Sequence, residues 1–351
     1  MHVPDGFINA PTSAVAGVVA AGAVAVSLRG ARRELDERTA PLAGLVAAFI
    51  FAVQMLNFPV AAGTSGHLLG GALAAILVGP YTGVLCVSVV LLMQGILFAD
   101  GGLTALGVNI TDMAIVTTVV AYAVFRGLVK VLPRRRGSVT AASFTAALVS
   151  VPAAAVAFTL IYAVGGTTDV EIGKVATAMI GVHVLIGIGE AAITALTVGA
   201  VIAVRPDLVY GARGLEQRLK LRVNGELVDA PAAEPEPVPA AARSHRKVWI
   251  TGLVTSLVLA GFVSFYASAN PDGLEKIAHD QGIDKKEEAH ASAGSPLADY
   301  GVRDIADARL SGGLAGVIGV GATVVAGSTV FWVVRRRRTA AEPSDPSSQA
   351  A

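Results

Sequence analysis

The sequence has few charges, few aromatic residues and a single cysteine. Only 15% of its 351 residues are charged and 5% are aromatic, whereas 54% are hydrophobic. Together with a mean hydropathy of +0.64, this composition argues against an ordinary soluble domain and predicts a membrane protein. The single cysteine, Cys86, lies within an apolar run, which excludes an internal disulfide framework and a cysteine-based metal site.

Several functional motifs are also missing. The sequence contains no GxxxxGK[ST] phosphate loop, so we expect no Walker-type site for ATP hydrolysis in this chain. HExxH and GxSxG motifs are absent too, which argues against an intramembrane hydrolase. The 27 basic and 26 acidic residues nearly balance, which argues against a nucleic acid partner. Any energy that the protein uses must therefore come from another subunit or from an ion gradient.

Apolar runs long enough, or nearly long enough, to cross about 30 Å of hydrocarbon recur along the chain. Each run is continuously apolar, which favours helices over the alternating strands of a barrel. The third run is short and ends at Gly79-Pro80, so we expect the third and fourth runs to form a tight helical hairpin. We therefore predict an all-α integral membrane protein with nine spans. They cover approximately 10–28, 42–58, 67–79, 81–99, 107–129, 140–164, 175–204, 247–269 and 311–334.

The basic residues predict how these spans are oriented. With nine spans, 21 of the 27 Lys and Arg residues fall on one side, which should be the cytoplasm. The opposite side carries an acidic excess, with nine acidic residues in 270–310 alone. We therefore expect a multi-pass protein with its N-terminus outside and its C-terminus in the cytoplasm. No basic region precedes the first apolar run, so we expect an uncleaved first helix.

A change in composition divides the chain into two units. Residues 223–245 are rich in Pro, Ala and Glu without apolar periodicity, which predicts a linker. We expect a seven-helix bundle before it and a two-helix accessory unit with an extracellular loop after it. The predicted segments are 1–222 for the bundle, 223–246 for the cytoplasmic linker, 247–338 for the accessory unit and 339–351 for a disordered tail.

The N-terminus offers a candidate metal site. The Met1 amino nitrogen, the His2 backbone nitrogen and His2 Nδ1 can chelate one ion, and Pro4 has no N–H to extend the chelate. His67 lies on the same predicted side and can supply a fourth nitrogen. An all-nitrogen set favours Ni(II) or Cu(II) when planar, leaves Co(II) possible and disfavours calcium and magnesium. The alternatives are that His2 is an exposed residue without a role, and that His67 lies at a helix end and is hydrogen-bonded to the backbone or to a lipid headgroup.

Three ionisable residues lie inside predicted spans: Asp112, His183 and Glu190. Because their burial in the membrane is costly, they are functional candidates. His183 and Glu190 are seven residues apart and share a helix face, so they form either an interhelical structural contact or part of a path for ion passage or subunit coupling. Further polar residues are candidates to orient His67 or hold the N-terminal segment. They are Gln54, Asn57, Gln94 and Asn109.

Three motifs in the first unit resemble a known family. They are MHVPDGF at 1–7, SGHLLGGALAAILVGP at 65–80 and LLMQGILFADGGLTALGVNI at 91–110. Over about 1–220 the chain resembles the substrate-binding membrane component of cobalt and nickel energy-coupling-factor (ECF) transporters, the CbiM/NikM type. Within the second unit, PDGLEKIAHDQGI at 271–283 and PLADYGV at 296–302 resemble the PDGLE domain, the CbiN/NikN type. The chain thus looks like a fusion of the two.

This resemblance implies a pocket at the outer face into which the N-terminal segment folds back. In the family the metal is held by nitrogens at the positions of Met1, His2 and His67. The Ni(II) or Co(II) ion would be the transported substrate, with no permanently bound cofactor, in the plasma membrane of a prokaryote. The implied partners are a transmembrane coupling subunit and a pair of cytoplasmic ATPases. The Val3-Pro4-Asp5 opening is closer to nickel-type or fused members, and the choice of metal stays open.

The accessory unit has a less defined predicted role. On the same resemblance its outer loop helps metal loading or insertion of the N-terminal segment, and none of its residues is predicted to be a ligand.

Two alternatives come from other functional classes. The first is a gradient-driven secondary permease that uses Asp112, His183 and Glu190 as a proton relay. The second is a membrane metal-dependent enzyme, which is disfavoured because a fully ligated four-nitrogen site leaves no open position for a substrate.

Overall fold

The structure, a computed structural model, describes residues 1–35, 39–61, 63–213, 220–223, 226–229 and 246–339. Each predicted apolar run contains a helix, which confirms the all-α membrane architecture. In the described ranges, seven helices are long and apolar enough to cross a membrane, five in the first unit and two in the second.

The helices of the first unit are α1 (Ala10–Glu34), α2 (Ala40–Gln54), α3 (Gly71–Val78), α4 (Pro80–Met93), α5 (Leu106–Asn109), α6 (Thr117–Val131), α7 (Arg136–Gly165) and α8 (Ile172–Val204). Two π-helical segments adjoin these helices: Gln94–Phe98 continues α4, and Ile110–Val116 joins α5 to α6. Short 3-10 turns follow at Pro206–Leu208 and Tyr210–Ala212.

The second unit has three helices, α9 (Arg246–Gly261), α10 (Gly273–Gln281) and α11 (Ala308–Thr339). Its 3-10 turns are Val263–Tyr266, Asp284–Lys286 and Ala298–Tyr300.

The predicted third span, 67–79, is wrong in its extent. Only Gly71–Val78 is helical, and eight residues reach about 12 Å, too short to cross the hydrocarbon. The preceding chain forms an antiparallel hairpin of β1 (Phe58–Ala61) and β2 (Thr64–Gly66), so the second predicted span also stops early, at Gln54. Glycines are the physical reason: Gly63 and Gly70 adopt φ of 74° and 90°, which a continuous helix does not allow.

The tight connection predicted at Gly79-Pro80 is present, and a buried carboxylate stabilises it. Because α4 begins at Pro80, its first N–H groups lack helical partners. Glu34 at the end of α1 accepts from Thr82 N at 2.7 Å, from Thr82 Oγ1 at 2.8 Å and from Tyr81 N at 3.2 Å. This cap ties the end of α1 to the start of α4.

The second unit packs its long helices α9 and α11 against α2. Small residues make this possible, since a Cβ at Gly44 would lie 2.4 Å from Ser328 Oγ and only glycine permits such close helix contact. The start of the predicted linker contains a strand instead, because β4 (Glu226–Asp229) pairs with β3 (Lys220–Val223), which ends at the first linker residue. Linker residues 224–225 and 230–245 and tail residues 340–351 lie outside the described residues.

One end of the bundle buries the start of the chain. Val3, Phe7 and Met1 are buried, and the segment between α9 and α11, residues 267–307, folds over them; we call it the accessory loop. The N-terminal segment, the β1–β2 hairpin and the accessory loop therefore meet at one place.

Candidate functional site

The first residues lie in a groove that fixes their backbone. Val3 N donates to Asn109 Oδ1 at 2.7 Å, and Val3 O accepts from Asn109 Nδ2 at 3.1 Å and from Gly102 N at 2.9 Å. Asp5 Oδ1 accepts from Thr104 N at 2.8 Å. These bonds place Met1 and His2 at a defined position deep in the protein.

The Met1 amino group contacts residues from two distant parts of the chain. Its nitrogen lies 2.7 Å from His67 Nε2 and donates to Asp272 Oδ2 at 2.8 Å. His67 Nδ1 lies 3.0 Å from Leu68 O, and because a carbonyl only accepts, Nδ1 carries the ring proton. His67 therefore presents the lone pair of Nε2 toward the amino group, as a metal ligand would.

The His2 ring is stacked on the ring of His67, with centroids 5.1 Å apart and 19° between the planes. His2 Nδ1 lies 3.2 Å from Asp100 Oδ1, and Nε2 lies 3.2 Å from Gln94 Oε1. Tyr300 of the accessory loop closes the network, because its hydroxyl donates to Asp100 Oδ2 at 2.6 Å and accepts from Gln94 Nε2 at 2.9 Å. Both partners are acceptor oxygens, and a neutral imidazole donates from one nitrogen only, so one of the two contacts is the hydrogen bond that orients the ring.

Burial and charge set the protonation states of two donors. Burial lowers the pKa of His2 to about 4, against the opposing effect of Asp100. For Asp272 burial alone would raise the pKa, but the N-terminal ammonium and His67 hold it well below its ordinary value. At neutral pH the His2 ring is neutral and the Asp272 carboxylate is ionised, which are the forms that bind metal ions.

A cavity of about 500 Å³ adjoins these groups. Donor atoms of His2, His67 and Asp272 lie within 4.8 Å of one another at its wall. Two ligand atoms on opposite sides of one first-row ion lie about 4.2 Å apart, so the distances between these donor atoms are close to those between the ligands of a single ion. We call Met1, His2, His67 and Asp272 the N-terminal site.

Glu190 holds the chain immediately after His67. Its carboxylate accepts from Leu69 N at 2.7 Å and from Gly70 N at 3.1 Å, at the start of α3. Gln54 Nε2 donates to Leu69 O at 2.9 Å from the other side. A buried carboxylate on α8 thereby fixes the turn that positions His67.

The remaining predicted residues lie outside this network. Within the described residues, neither carboxylate oxygen of Asp112 has a hydrogen-bond partner, nor does His183 Nε2. His183 Nδ1 lies 2.7 Å from Met179 O, so the structure does not pair His183 with Glu190. Asn57 lines the cavity, and its backbone oxygen accepts from Ser268 N at 2.7 Å.

Sequence reasoning did not identify Asp100, Asp272 or Tyr300 as parts of the site. Two of them lie in the motifs PDGLE and PLADYGV of the accessory loop, which were the available signal. Asp272 also starts a capping box, since Oδ1 accepts from Glu275 N at 2.8 Å and the Glu275 carboxylate accepts from Asp272 N at 3.2 Å. A capping box explains one oxygen and leaves the second free for the site.

Comparison with protein families gives two matches. Residues 2–208 match the family described as the cobalt uptake substrate-specific transmembrane region, and residues 246–336 match the PDGLE domain.

Individual relatives show the same similarity. The chain is 40% identical over 210 residues to a putative metal transport protein of Haloquadratum walsbyi, covering 60% of this chain and 94% of the relative. It is 41% identical over 211 residues to a putative fused nickel transport protein of Archaeoglobus fulgidus, covering 60% of this chain and 68% of the relative. A crystal structure of a truncated transition metal transporter superposes with a TM-score of 0.52 at 27% identity, over 58% of this chain and 99% of that one.

Proposed function

Because the chain belongs to the family of cobalt uptake substrate-specific transmembrane regions and carries a PDGLE domain behind it, we propose that it is the substrate-binding component of an ECF-type importer. It is a multi-pass membrane component of nickel or cobalt uptake, in a family of transport proteins rather than enzymes. The proposal adds that the chain captures Ni(II) or Co(II) at the outer face and delivers it to the cytoplasm.

One observation carries the proposal: the Met1 amino nitrogen lies 2.7 Å from His67 Nε2, 66 residues away, and both are buried. Two ligands at a right angle around a first-row ion are about 3.0 Å apart when each bond is about 2.1 Å. The two nitrogens are therefore within about 0.3 Å of the separation that one ion requires. Little rearrangement of the backbone is needed for binding.

The chemistry of capture follows from the donors. An ion that replaces the ammonium proton binds the Met1 amine and His67 Nε2, and the His2 ring joins by turning Nδ1 away from Asp100. The His2 backbone nitrogen completes a planar set if it loses its proton, and this favours Ni(II). A set that keeps more water or oxygen ligands suits Co(II) equally well, so both ions remain within the proposal.

Orientation and energy supply are part of the same proposal. Asn9 N donates to Gly165 O at 2.7 Å, so the start of α1 and the end of α7 lie side by side at the end of the bundle where the chain begins. Arg33 and Arg136 lie at the opposite ends of those helices, which supports a cytoplasmic location for that side. We propose that a transmembrane coupling subunit and a pair of ATPases drive release there.

The test uses the full chain with its native N-terminus, purified in detergent. We expect one equivalent of Ni(II) or Co(II) per chain, and loss of binding in His2→Ala and His67→Ala. A one-residue extension before Met1 should also abolish binding, because the amino group is enclosed between His67 and Asp272. His279→Ala is the matched control, since that side chain is 81% exposed. Full binding by the extended chain would contradict the proposal.

The gradient-driven alternative has one observation in its favour, the buried Asp112 carboxylate without a hydrogen-bond partner among the described residues. The two functions differ in their energy source. In cells that also express the coupling subunits, uptake should stop when ATP is depleted and persist when the proton gradient is collapsed. The reverse result, together with loss of uptake in Asp112→Asn, would favour the permease.

A further inference from the structure

Asp272 stands apart from the rest of the accessory loop because its two carboxylate oxygens have different partners. Oδ1 accepts from Glu275 N at 2.8 Å and caps α10. Oδ2 accepts from the Met1 amino group at 2.8 Å and lies 3.7 Å from His67 Nε2. A helix cap needs only one side-chain oxygen, so the cap does not account for where Oδ2 points.

The backbone around Asp272 is fixed against the first unit. Ser65 N donates to Pro271 O at 2.8 Å, and Ser65 Oγ donates to Asn270 O at 2.7 Å. On the other side, a Cβ at Gly273 would lie 2.9 Å from Val182 Cγ1, so only glycine lets the loop approach α8 this closely. The carboxylate is thus held at the site by contacts on both sides of it.

The donor geometry fits a single ion. The separations are 2.7 Å between Met1 N and His67 Nε2, 2.8 Å between Met1 N and Asp272 Oδ2, and 3.7 Å between His67 Nε2 and Asp272 Oδ2. Two ligands of one first-row ion are at most about 4.2 Å apart, because each bond is about 2.1 Å long. All three pairs are inside this limit, so one ion can contact the three atoms without a change in the loop.

Charge favours the same arrangement. Of the nitrogen donors of Met1, His2 and His67, only a deprotonated His2 amide carries a charge, so a divalent ion held by nitrogens alone would leave at least one buried positive charge. Isolated buried charges are costly unless they are paired. The Asp272 carboxylate supplies a negative charge at 16% side-chain exposure, where water screens it little.

We propose that Asp272 of the accessory loop is a ligand of the captured ion, so that the second unit supplies an anionic oxygen to the nitrogen donors of the first. This inference rests on the proposed function of the N-terminal site. The oxygen takes a coordination position outside the nitrogen set, raising the coordination number of Ni(II) or Co(II) above four. The accessory unit is then part of the binding site itself.

The experiment compares the full chain with Asp272→Asn and Asp272→Ser, each loaded with Ni(II) or Co(II) alone. Both residues are good helix caps, so α10 is retained, which thermal unfolding without metal checks. Asp299→Asn is the matched control, because Asp299 lines the same cavity without contacting the nitrogen donors. Visible absorption and the dissociation constant are measured for each, with His67→Ala alongside.

We expect both Asp272 variants to bind with a dissociation constant raised at least about tenfold and to show a shifted ligand-field spectrum, with Asp299→Asn unchanged. A spectrum and affinity equal to those of the unsubstituted chain in both Asp272 variants, while His67→Ala loses binding, would overturn the role of Asp272 and leave the proposed function standing. Binding retained in His67→Ala would instead overturn the proposed function.

Discussion

The hydroxyl of Tyr300 donates to Asp100 Oδ2 at 2.6 Å, and this bond joins the accessory loop to the residue that faces the His2 ring. The same hydroxyl accepts from Gln94, and the Tyr300 ring stacks on Phe98 with centroids 4.8 Å apart. The second unit therefore orients His2 through a chain of hydrogen bonds as well as placing Asp272 beside Met1. Its contact with the N-terminal site is made at two separate points of the loop.

Tyr300→Phe should weaken metal binding by about tenfold, because the hydroxyl holds Gln94 against His2 Nε2 and residues that orient a ligand typically contribute 10- to 100-fold to affinity. The ring and its stacking on Phe98 are kept, so the free energy of unfolding should fall by only about 1 kcal/mol, for the lost hydrogen bond. Titration of the purified chain with Ni(II) measures the effect. Tyr266→Phe is the control, since Tyr266 is 72% exposed. Equal affinities for both variants would show that the hydrogen bonds of the Tyr300 hydroxyl do not orient His2.

Glu190→Gln should disturb the turn after His67. The two carboxylate oxygens each accept one backbone N–H, whereas glutamine has one oxygen and one NH₂ group. One buried N–H is left without an acceptor, which costs about 1–3 kcal/mol of stability, and His67 loses its fixed position. Thermal unfolding and metal titration should both respond. Glu171→Gln, at a side chain that is 70% exposed, should leave both unchanged; a Glu190→Gln chain that matches it would contradict the role in positioning His67.

Gly6→Ala should separate the accessory loop from the N-terminal segment. A Cβ at Gly6 would lie 2.1 Å from Lys286 O, and φ is +86°, so the variant suffers both a clash and backbone strain. Gly63→Ala is the matched control, because Gly63 has φ of +74° with nothing within 4 Å of the added Cβ. Backbone strain alone lowers the free energy of unfolding by about 1–2 kcal/mol. We expect a larger loss in Gly6→Ala, because the clash adds to the strain. Protease cleavage within 284–290 should increase only in Gly6→Ala, and equal cleavage in both variants would contradict the contact.

Metal binding should stabilise the folded chain. An ion at about 100 times its dissociation constant adds about 2.7 kcal/mol to the free energy of unfolding, so Ni(II) or Co(II) should raise the Tm and a chelator should reverse the change. His67→Ala should show no metal-dependent shift. A shift that survives this substitution would place the bound ion somewhere other than the N-terminal site.

The sequence predicts the helices well because lipid requires long, continuously apolar segments. It fails at 55–58 and 67–70, which were counted in the second and third spans, because Gly63 and Gly70 adopt positive φ and the chain between the helices forms a hairpin. A hydropathy average over a window of residues does not detect two glycines with positive φ. The spacing of glycines at 63, 66 and 70 was the available signal.

The candidate site could be predicted only in part. The chelating capacity of Met1 and His2 is local chemistry and can be read from adjacent residues, and His67 stood close to a predicted outer end. Asp272 and Tyr300 reach the site across 271 and 200 residues of chain, through docking of a loop onto a separate unit. The motifs PDGLE and PLADYGV mark these two positions without encoding such a contact, and the helix cap is by itself a sufficient structural reason for an acidic residue at Asp272.

The fusion of the two units in one chain determines how the fraction of complete N-terminal sites depends on the amount of protein in the cell. Because Asp272 and Tyr300 belong to the same polypeptide as Met1 and His67, the association of the accessory loop with the site is intramolecular, with an effective concentration that reaches the millimolar range for short tethers. The fraction of chains with a complete donor set is then independent of expression level, and the stoichiometry of loop to site is fixed at one. A cell that makes the two units separately would have to balance their synthesis to obtain the same occupancy.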